Sequence, residues 1–158
     1  MPTLTFKSAK ALDKALTRAA VKSANKKIYK RLVRTAKFLY ENMIIESPSD
    51  TGNFRNSFRV SEGHLDNSGD TWNPPATPPE QGSPPTPEEM ANSGIDSLKI
   101  RNRGYRVFIT NNATAKNGYR YANNVEYTGW NNKSAYAPMT KASVKLMSSS
   151  LSKGFKIK

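Results

Sequence analysis

The sequence predicts an α+β fold: a long N-terminal helix packed on a small antiparallel sheet of three to four strands, a long Pro-rich loop and a C-terminal helix. Three observations predict it. Apolar residues recur at spacings of four and then three from Leu12 to Met43, the pattern shifts to period two from Phe54 to Ser61, and seven of the ten prolines fall between Pro74 and Pro87. Helices lie outside the strand-forming block and the strands are joined by a hairpin, which is the order of an α+β chain.

Ser8 is placed to cap a helix from about Ala9 to about Glu46, along which Leu12, Leu16, Ala20, Ala24, Ile28, Leu32, Ala36, Leu39 and Met43 form an apolar stripe. Lys22, Lys26, Lys30 and Arg34 repeat every four residues as a second, cationic ridge, and with no acid at i±4 these like charges repel. A dip in propensity at Lys22-Ser23-Ala24-Asn25 leaves room for two consecutive helices, and Pro48 ends the pattern. From Phe54 to Ser61, alternation puts Phe54, Phe58 and Val60 on one face of a strand and Arg55, Ser57, Arg59 and Ser61 on the other.

Residues 62 to 97 turn polar and irregular. Their prolines fix φ and lack amide donors, so extended backbone without a ladder is expected. Trp72 and Met90 are apolar side chains that need something to pack on. An arm lying on another subunit and a disordered insertion are both compatible with that composition. Leu98-Lys99-Ile100-Arg101 and Tyr105 to Thr110 then bracket Asn102-Arg103-Gly104 as a hairpin. Tyr121, Ala122 and Val125 sit at helical spacing before a stop at Gly129. Pro138 opens a last helix carrying Met139, Ala142, Leu146, Met147 and Leu151, ahead of the basic tail Lys153, Lys156 and Lys158.

The 158 residues make one domain's worth of chain, read as a single domain over 1–158 with the extended arm at about 62–97. A hydrophobic fraction of 36% and a mean hydropathy of −0.71 are lean for a free-standing globule, as in a chain that completes its burial on neighbours or carries a long solvated loop. No run approaches the ~18 to 20 apolar residues that cross a bilayer. Lys7, Lys10 and Lys14 interrupt any N-terminal signal core, so a soluble protein made in a cytoplasm is expected. The net charge of +13 is unevenly spread. Residues 1–40 carry eleven Lys/Arg against one acid, residues 41–100 three against ten, and residues 101–158 eleven against one. Nucleic-acid proximity, an acidic middle of one subunit meeting basic ends of the next, and plain solvation all fit this alternation.

Chemistry is sparse. Asp50-Thr51-Gly52 is the triplet that holds the carboxylate of aspartic proteases, but a long cationic helix and Ser47-Pro48-Ser49 precede it where an apolar strand is needed. The structural reading is an Asp and Thr shaping a turn with Gly at a conformation other residues avoid. His64 is the only histidine, and the absence of cysteine removes disulfides and thiolate metal sites. No metal-ligand spacing, phosphate loop or dinucleotide fingerprint occurs, so no catalytic or metal residue and no cofactor is expected. Arg55 or Arg59 could pair, within or between subunits, with Glu126, which is nearly alone among the C-terminal bases. Tyr119, Tyr121, Tyr127, Trp130 and Tyr136, beside Arg120 and Lys133, suit an interface or stacking on single-stranded bases.

Three segments carry a resemblance. Pro48-Ser49-Asp50-Thr51-Gly52-Asn53-Phe54-Arg55-Asn56-Ser57 follows P-x-D-T-G-x-L-R-x-S, and Tyr121-Ala122-Asn123-Asn124-Val125-Glu126-Tyr127-Thr128-Gly129 follows Y-A-x-x-V-E-x-x-G. Tyr136-Ala137-Pro138-Met139-Thr140-Lys141-Ala142 supplies a proline and alanine pair opening a last helix. This succession, from Pro48 to Ala142, resembles the small neck or tail-completion (minor tail) proteins of long-tailed bacteriophages. Phe54 stands where the pattern has an aliphatic residue, Met139 where it has a bulky apolar one, and the Pro-rich stretch is longer than the pattern requires.

The resemblance implies a structural virion protein, assembled in the host cytoplasm. It would join the head-closure region to the tail tube during tail completion and head–tail attachment. It implies a homo-oligomer, a hexameric ring whose subunits meet head to tail, with other neck and tail proteins and packaged DNA nearby and no membrane partner. On that implication Pro48, Asp50, Thr51, Gly52, Arg55 and Ser57 shape the motif turn. Trp72, Tyr121, Val125, Glu126, Gly129, Trp130, Tyr136 and Pro138 are the interface candidates. A hexameric tail-terminator ring and a free basic nucleic-acid-binding protein are the alternatives.

Overall fold

The computed structural model describes residues 8–68, 71–98, 106–129 and 133–149. Helix α1 spans Ala9–Glu46, and the Ser8 side chain accepts from the Ala11 amide at its start, as the sequence predicts. The helix is unbroken through Lys22–Asn25, so the two-helix alternative falls away. Gly52, with φ +74°, starts a single helical turn, α2 (Asn53–Asn56), before strand β1 (Phe58–Glu62). The strand expected from Phe54 is therefore shorter and later. The Asn56 amide bonds the Gly52 carbonyl at 3.0 Å, and the four-residue spacing of Phe54 and Phe58 serves a helical turn as well as an alternating strand. Both rings still enter the core, edge to face at 5.5 Å.

Strand β2 (Val107–Asn111) pairs antiparallel with β1, with Val60 opposite Ile109 and Glu62 opposite Val107. The described sheet thus has two strands rather than three or four. The first arm and turn of the predicted hairpin, residues 99–105, lie outside the described residues, as do Leu151 and the basic tail. A helical turn at Ala122–Asn123 widens over Asn124–Thr128, where the Gly129 amide reaches back five residues to the Asn124 carbonyl at 2.6 Å. Helix α4 (Pro138–Ser148) has Pro138 in its first turn, as expected, and packs on the C-terminal part of α1. Glu46 of α1 ties the two helices through Lys145 at 2.6 Å and Lys141 at 3.3 Å, and these ammonium groups hold its carboxyl below the usual range.

The core lies between the C-terminal third of α1, the β1–β2 pair and the 121–142 region, with Tyr40, Ile44, Phe58, Ile95, Val125 and Ala142 at its centre. Only Thr35, Ala36, Tyr40, Met43 and Ile44 of α1 are buried. The stripe of the first half does not reach this core: Leu16 is 60% exposed, Val21 53% and Ile28 49%. At 3.6 residues per turn each step of four advances about 40° around the axis, so from Leu12 to Ala36 the line of apolar residues rotates through roughly 240°. It is a spiral ridge, and one face of one core cannot cover it.

The Pro-rich stretch is anchored on its own chain. Gln81 bonds Ser47 O at 2.7 Å and the Ser49 amide at 3.0 Å. Asn73 exchanges bonds with Asn53 and Asn56, and Pro75 and Pro79 close over Gly52, where a Cβ would meet the Pro75 ring at 2.7 Å. Helix α3 (Pro87–Ser93) follows, opened by a Thr86–Glu89 capping box, and the 3₁₀ turn Ile95–Ser97 inserts Ile95 into the core.

Tyr40 joins these layers. Its ring meets Phe58 edge to face, and its hydroxyl donates to the Glu89 carbonyl at 2.8 Å. Burial pushes the phenol from 10.0 up to about 12, so its stabilising contribution is whole below pH 10 and is lost as the pH rises toward 12. Urea melts over that window are expected to show falling stability, and Tyr40→Phe should flatten the slope. An unchanged slope in the variant would assign the effect elsewhere, Tyr121 being the other phenol raised by burial among the described residues.

Candidate functional site

The three motif segments converge. Asn53 of the first donates to Tyr121 Oη at 3.1 Å and to the Thr114 carbonyl at 2.8 Å, and Phe54 packs on the Tyr121 ring at 6.0 Å. The third segment joins through backbone and carboxylate: Tyr136 N–H bonds the Val125 carbonyl at 2.9 Å, and Glu126 accepts from the amides of Met139 and Thr140, both at 2.9 Å. The reason is local. Ala137, the residue before α4, sits at φ +51° and has no side-chain cap to offer, so a carboxylate from the preceding turn meets the orphan amides.

Arg55 is wholly buried, and its guanidinium forks onto Glu89 with Nε–Oε1 at 2.7 Å and Nη2–Oε2 at 3.1 Å. Its remaining donors reach the carbonyls of Glu80, Ser83 and Pro84 and the Ser83 hydroxyl. The pairing of Arg55 or Arg59 with Glu126 within the chain is thus corrected. Arg55 holds α3 and the Pro-rich stretch, Arg59 donates to the carbonyls of Asn56 and Phe58, and Glu126 caps α4.

Of the turn residues, Pro48, Gly52 and Ser57 are buried, with Ser57 Oγ donating to the Asn53 carbonyl at 2.7 Å. Asp50 and Thr51 are exposed, and Asp50 lies 3.8 Å from Lys133. Among the interface candidates, Tyr121, Val125, Glu126 and Pro138 lie inside the chain's own core rather than on its surface. Tyr136 is half-buried, Gly129 turns the chain at φ +98°, and Trp130 lies outside the described residues. Trp72 remains at the surface, over a hollow of about 170 Å³ shared with Pro48, Asp50, Phe54, Lys116 and Tyr121. Lys22, Lys26, Lys30 and Arg34 line the exposed half of α1, so the ridge faces outward.

Sequence reasoning passed over Glu89, although Thr86-Pro87-Glu88-Glu89 carries a capping-box signature with proline in the first turn. It also passed over a second hollow, about 250 Å³, between α1 and β2, lined by Leu32, Thr35, Ala36, Leu39, Val107 and Ile109. No sequence signal marks it, because it exists only where helix and strand meet. Among the described residues no group of three or more His, Asp or Glu is placed to hold a metal, and no helix is long and apolar enough to cross a membrane. Compared with protein-family models, curated proteins and solved structures, the chain matches none of them.

Proposed function

We propose that this chain is a structural assembly protein of a phage neck, acting as a ring component that joins the head-closure region to the tail tube, and that it has no catalytic role. One observation carries the reading. The first 26 residues of α1 include no buried side chain, hold nine Lys/Arg against one acid, and leave Leu16, Val21 and Ile28 uncovered. A helix of that make-up is stable when something else covers it. Supporting it, the residues of the three resembling segments act as turn, cap and core: Gly52, Arg55, Tyr121 and Glu126 are committed to holding the chain together. The turn at Asp50-Thr51 supplies an exposed carboxylate beside a lysine, and a shaped surface is the use that suits it.

Deleting the reading frame from a phage that encodes it tests the proposal. The expected lysate holds DNA-filled heads and finished tails that stay apart under the electron microscope, with joining restored when the chain is supplied from a plasmid. Joined, infectious particles made without the chain would end the reading. The basic helix keeps nucleic-acid binding as the second reading, and a steep fall of DNA affinity with salt by the isolated protein would favour it.

A further inference from the structure

We propose that the exposed half of α1 lies in the major groove of duplex DNA and holds phosphates of both strands through a winding line of cations. The inference rests on the nucleic-acid reading of this helix and adds the form of the ligand and the mode of contact. The cationic ridge is longer than its last four members. Lys10, Lys14 and Arg18 precede Lys22 at the same spacing, so every fourth residue as far as Arg34 is a cation, seven in all and all exposed. Among the described residues none of the seven forms an ion pair, and Asp13, the one acid of this half, stands at helical spacing from Lys10 alone. Neighbours along the line repel one another, and a polyanion turns that repulsion into binding.

The acids of a second copy do not answer this line. Glu46 is already paired with Lys141 and Lys145, Asp50 with Lys133, Glu89 with Arg55 and Asp96 with Lys37. Helix α4 carries no acid, and α3 carries only Glu88 and Glu89, side by side. Among the described residues, then, no helix offers a row of carboxylates to match the line. A flat anionic bilayer does not fit it either. Each step of four turns the line by about 40°, so over about 36 Å it winds through roughly 240° and cannot lie against a plane.

A DNA duplex meets each of these features. An α-helix with its side chains is about 10–12 Å across, and the major groove is about 12 Å wide with a phosphate rail on either side. With Lys22, the middle of the line, toward the groove floor, Lys10 and Lys14 turn to one wall and Lys30 and Arg34 to the other. A straight rod crossing a groove meets one strand near each end, which is what this winding supplies. Single strands are the poorer ligand, because their bases stack on aromatic rings. Tyr29 is the only aromatic residue between Ala9 and Arg34, and its hydroxyl already donates to the Leu98 carbonyl at 3.2 Å. Duplex RNA is poorer as well, its major groove being deep and narrow. Contacts to phosphate carry no base information, so the binding is independent of sequence.

Fluorescence anisotropy of the full-length protein on a labelled DNA duplex of roughly 20 base pairs, about two helical turns, tests the contact. The four wall cations give a slope near −3.6 in log affinity against log salt, roughly a 150-fold loss between about 50 and 200 mM. Lys14→Gln/Lys30→Gln takes one cation from each wall and should halve that slope to about −1.8. Both side chains are exposed, so the melting curve should stay in place. Lys27→Gln/Lys116→Gln removes the same charge as a control. Lys27 is on the same helix but points about 140° away from Lys22, and Lys116 lies in the turn before Tyr119, so the slope should be kept. A DNA single strand and an RNA duplex of equal length should both bind more weakly.

An unchanged slope in the wall variant, or an equal fall in the control, would overturn the groove contact and leave the nucleic-acid reading standing. Equal or tighter capture of the single strand or the RNA duplex would do the same. Tighter capture by phosphatidylglycerol vesicles, or by the wild-type chain itself in sedimentation, would hand the ridge to a bilayer or a second copy and overturn it too. Wild-type protein that ignores DNA at low salt would end both the contact and the reading beneath it. The neck phenotype is independent of each of these results.

Discussion

Arg55→Met is expected to destabilise the protein by about 3–5 kcal/mol, the loss that follows when one partner of a buried ion pair is removed and the other stays behind. Arg55 is fully buried and Glu89 nearly so, and the fork between them is closed on both oxygens. Without the guanidinium, the Glu89 carboxylate keeps, among the described residues, only the Thr86 amide at 2.7 Å, and the carbonyls of Ser83 and Pro84 lose their donor as well, while the Glu80 carbonyl still accepts from Ser83. The Pro-rich stretch cannot compensate with backbone bonds of its own, because its prolines lack amide donors. Protease sensitivity between residues 73 and 86 should therefore rise before the global melt.

Arg55→Lys should recover little. An ammonium is a compact point charge and cannot span both oxygens while serving three carbonyls. Arg55→Met combined with Glu89→Met should cost less than the two single changes added together, since the uncompensated charge is gone. Urea melts of the wild type and these four variants settle the matter. A loss below about 1 kcal/mol for Arg55→Met would show that the clamp carries no weight.

Ends and caps were legible in the sequence. Ser8, Pro48 and Pro138 each act through their own backbone, and the structure places the boundaries of α1 and α4 where they indicate. Partner choice was not legible. Arg55 looked like a polar-face strand residue, and its real partner, Glu89, lies 34 residues away beyond a stretch with no periodicity to guide the eye. The apolar stripe of α1 was read correctly as helical but wrongly as one face, because spacing by four at 3.6 residues per turn winds around the helix. The α1–β2 groove, where the Thr35 hydroxyl has no partner among the described residues, could not be read at all, since it depends on where β2 crosses the helix.

Glu126→Ala is expected to cost about 3 kcal/mol, and the loss falls on α4 rather than on any surface. The carboxylate is 5% exposed and receives three bonds: the amides of Met139 and Thr140, and the Thr140 hydroxyl at 2.7 Å. It also sits at the positive end of the helix dipole, where a negative charge is favourable. Alanine removes all of this and leaves two first-turn amides facing protein instead of water, while Ala137 in its left-handed conformation offers no replacement. Glu126→Gln should cost less, because its carbonyl oxygen still accepts, but the amide nitrogen now confronts an N–H donor and the charge is lost. Hydrogen exchange at Met139 and Thr140 is the sharpest readout. Both amides should exchange faster in each variant, with a larger change in Glu126→Ala, whereas β2 should move only with global stability. If instead the amides keep their protection and the ring or neck assembly fails, Glu126 acts between subunits, and the capping role assigned from its geometry is secondary.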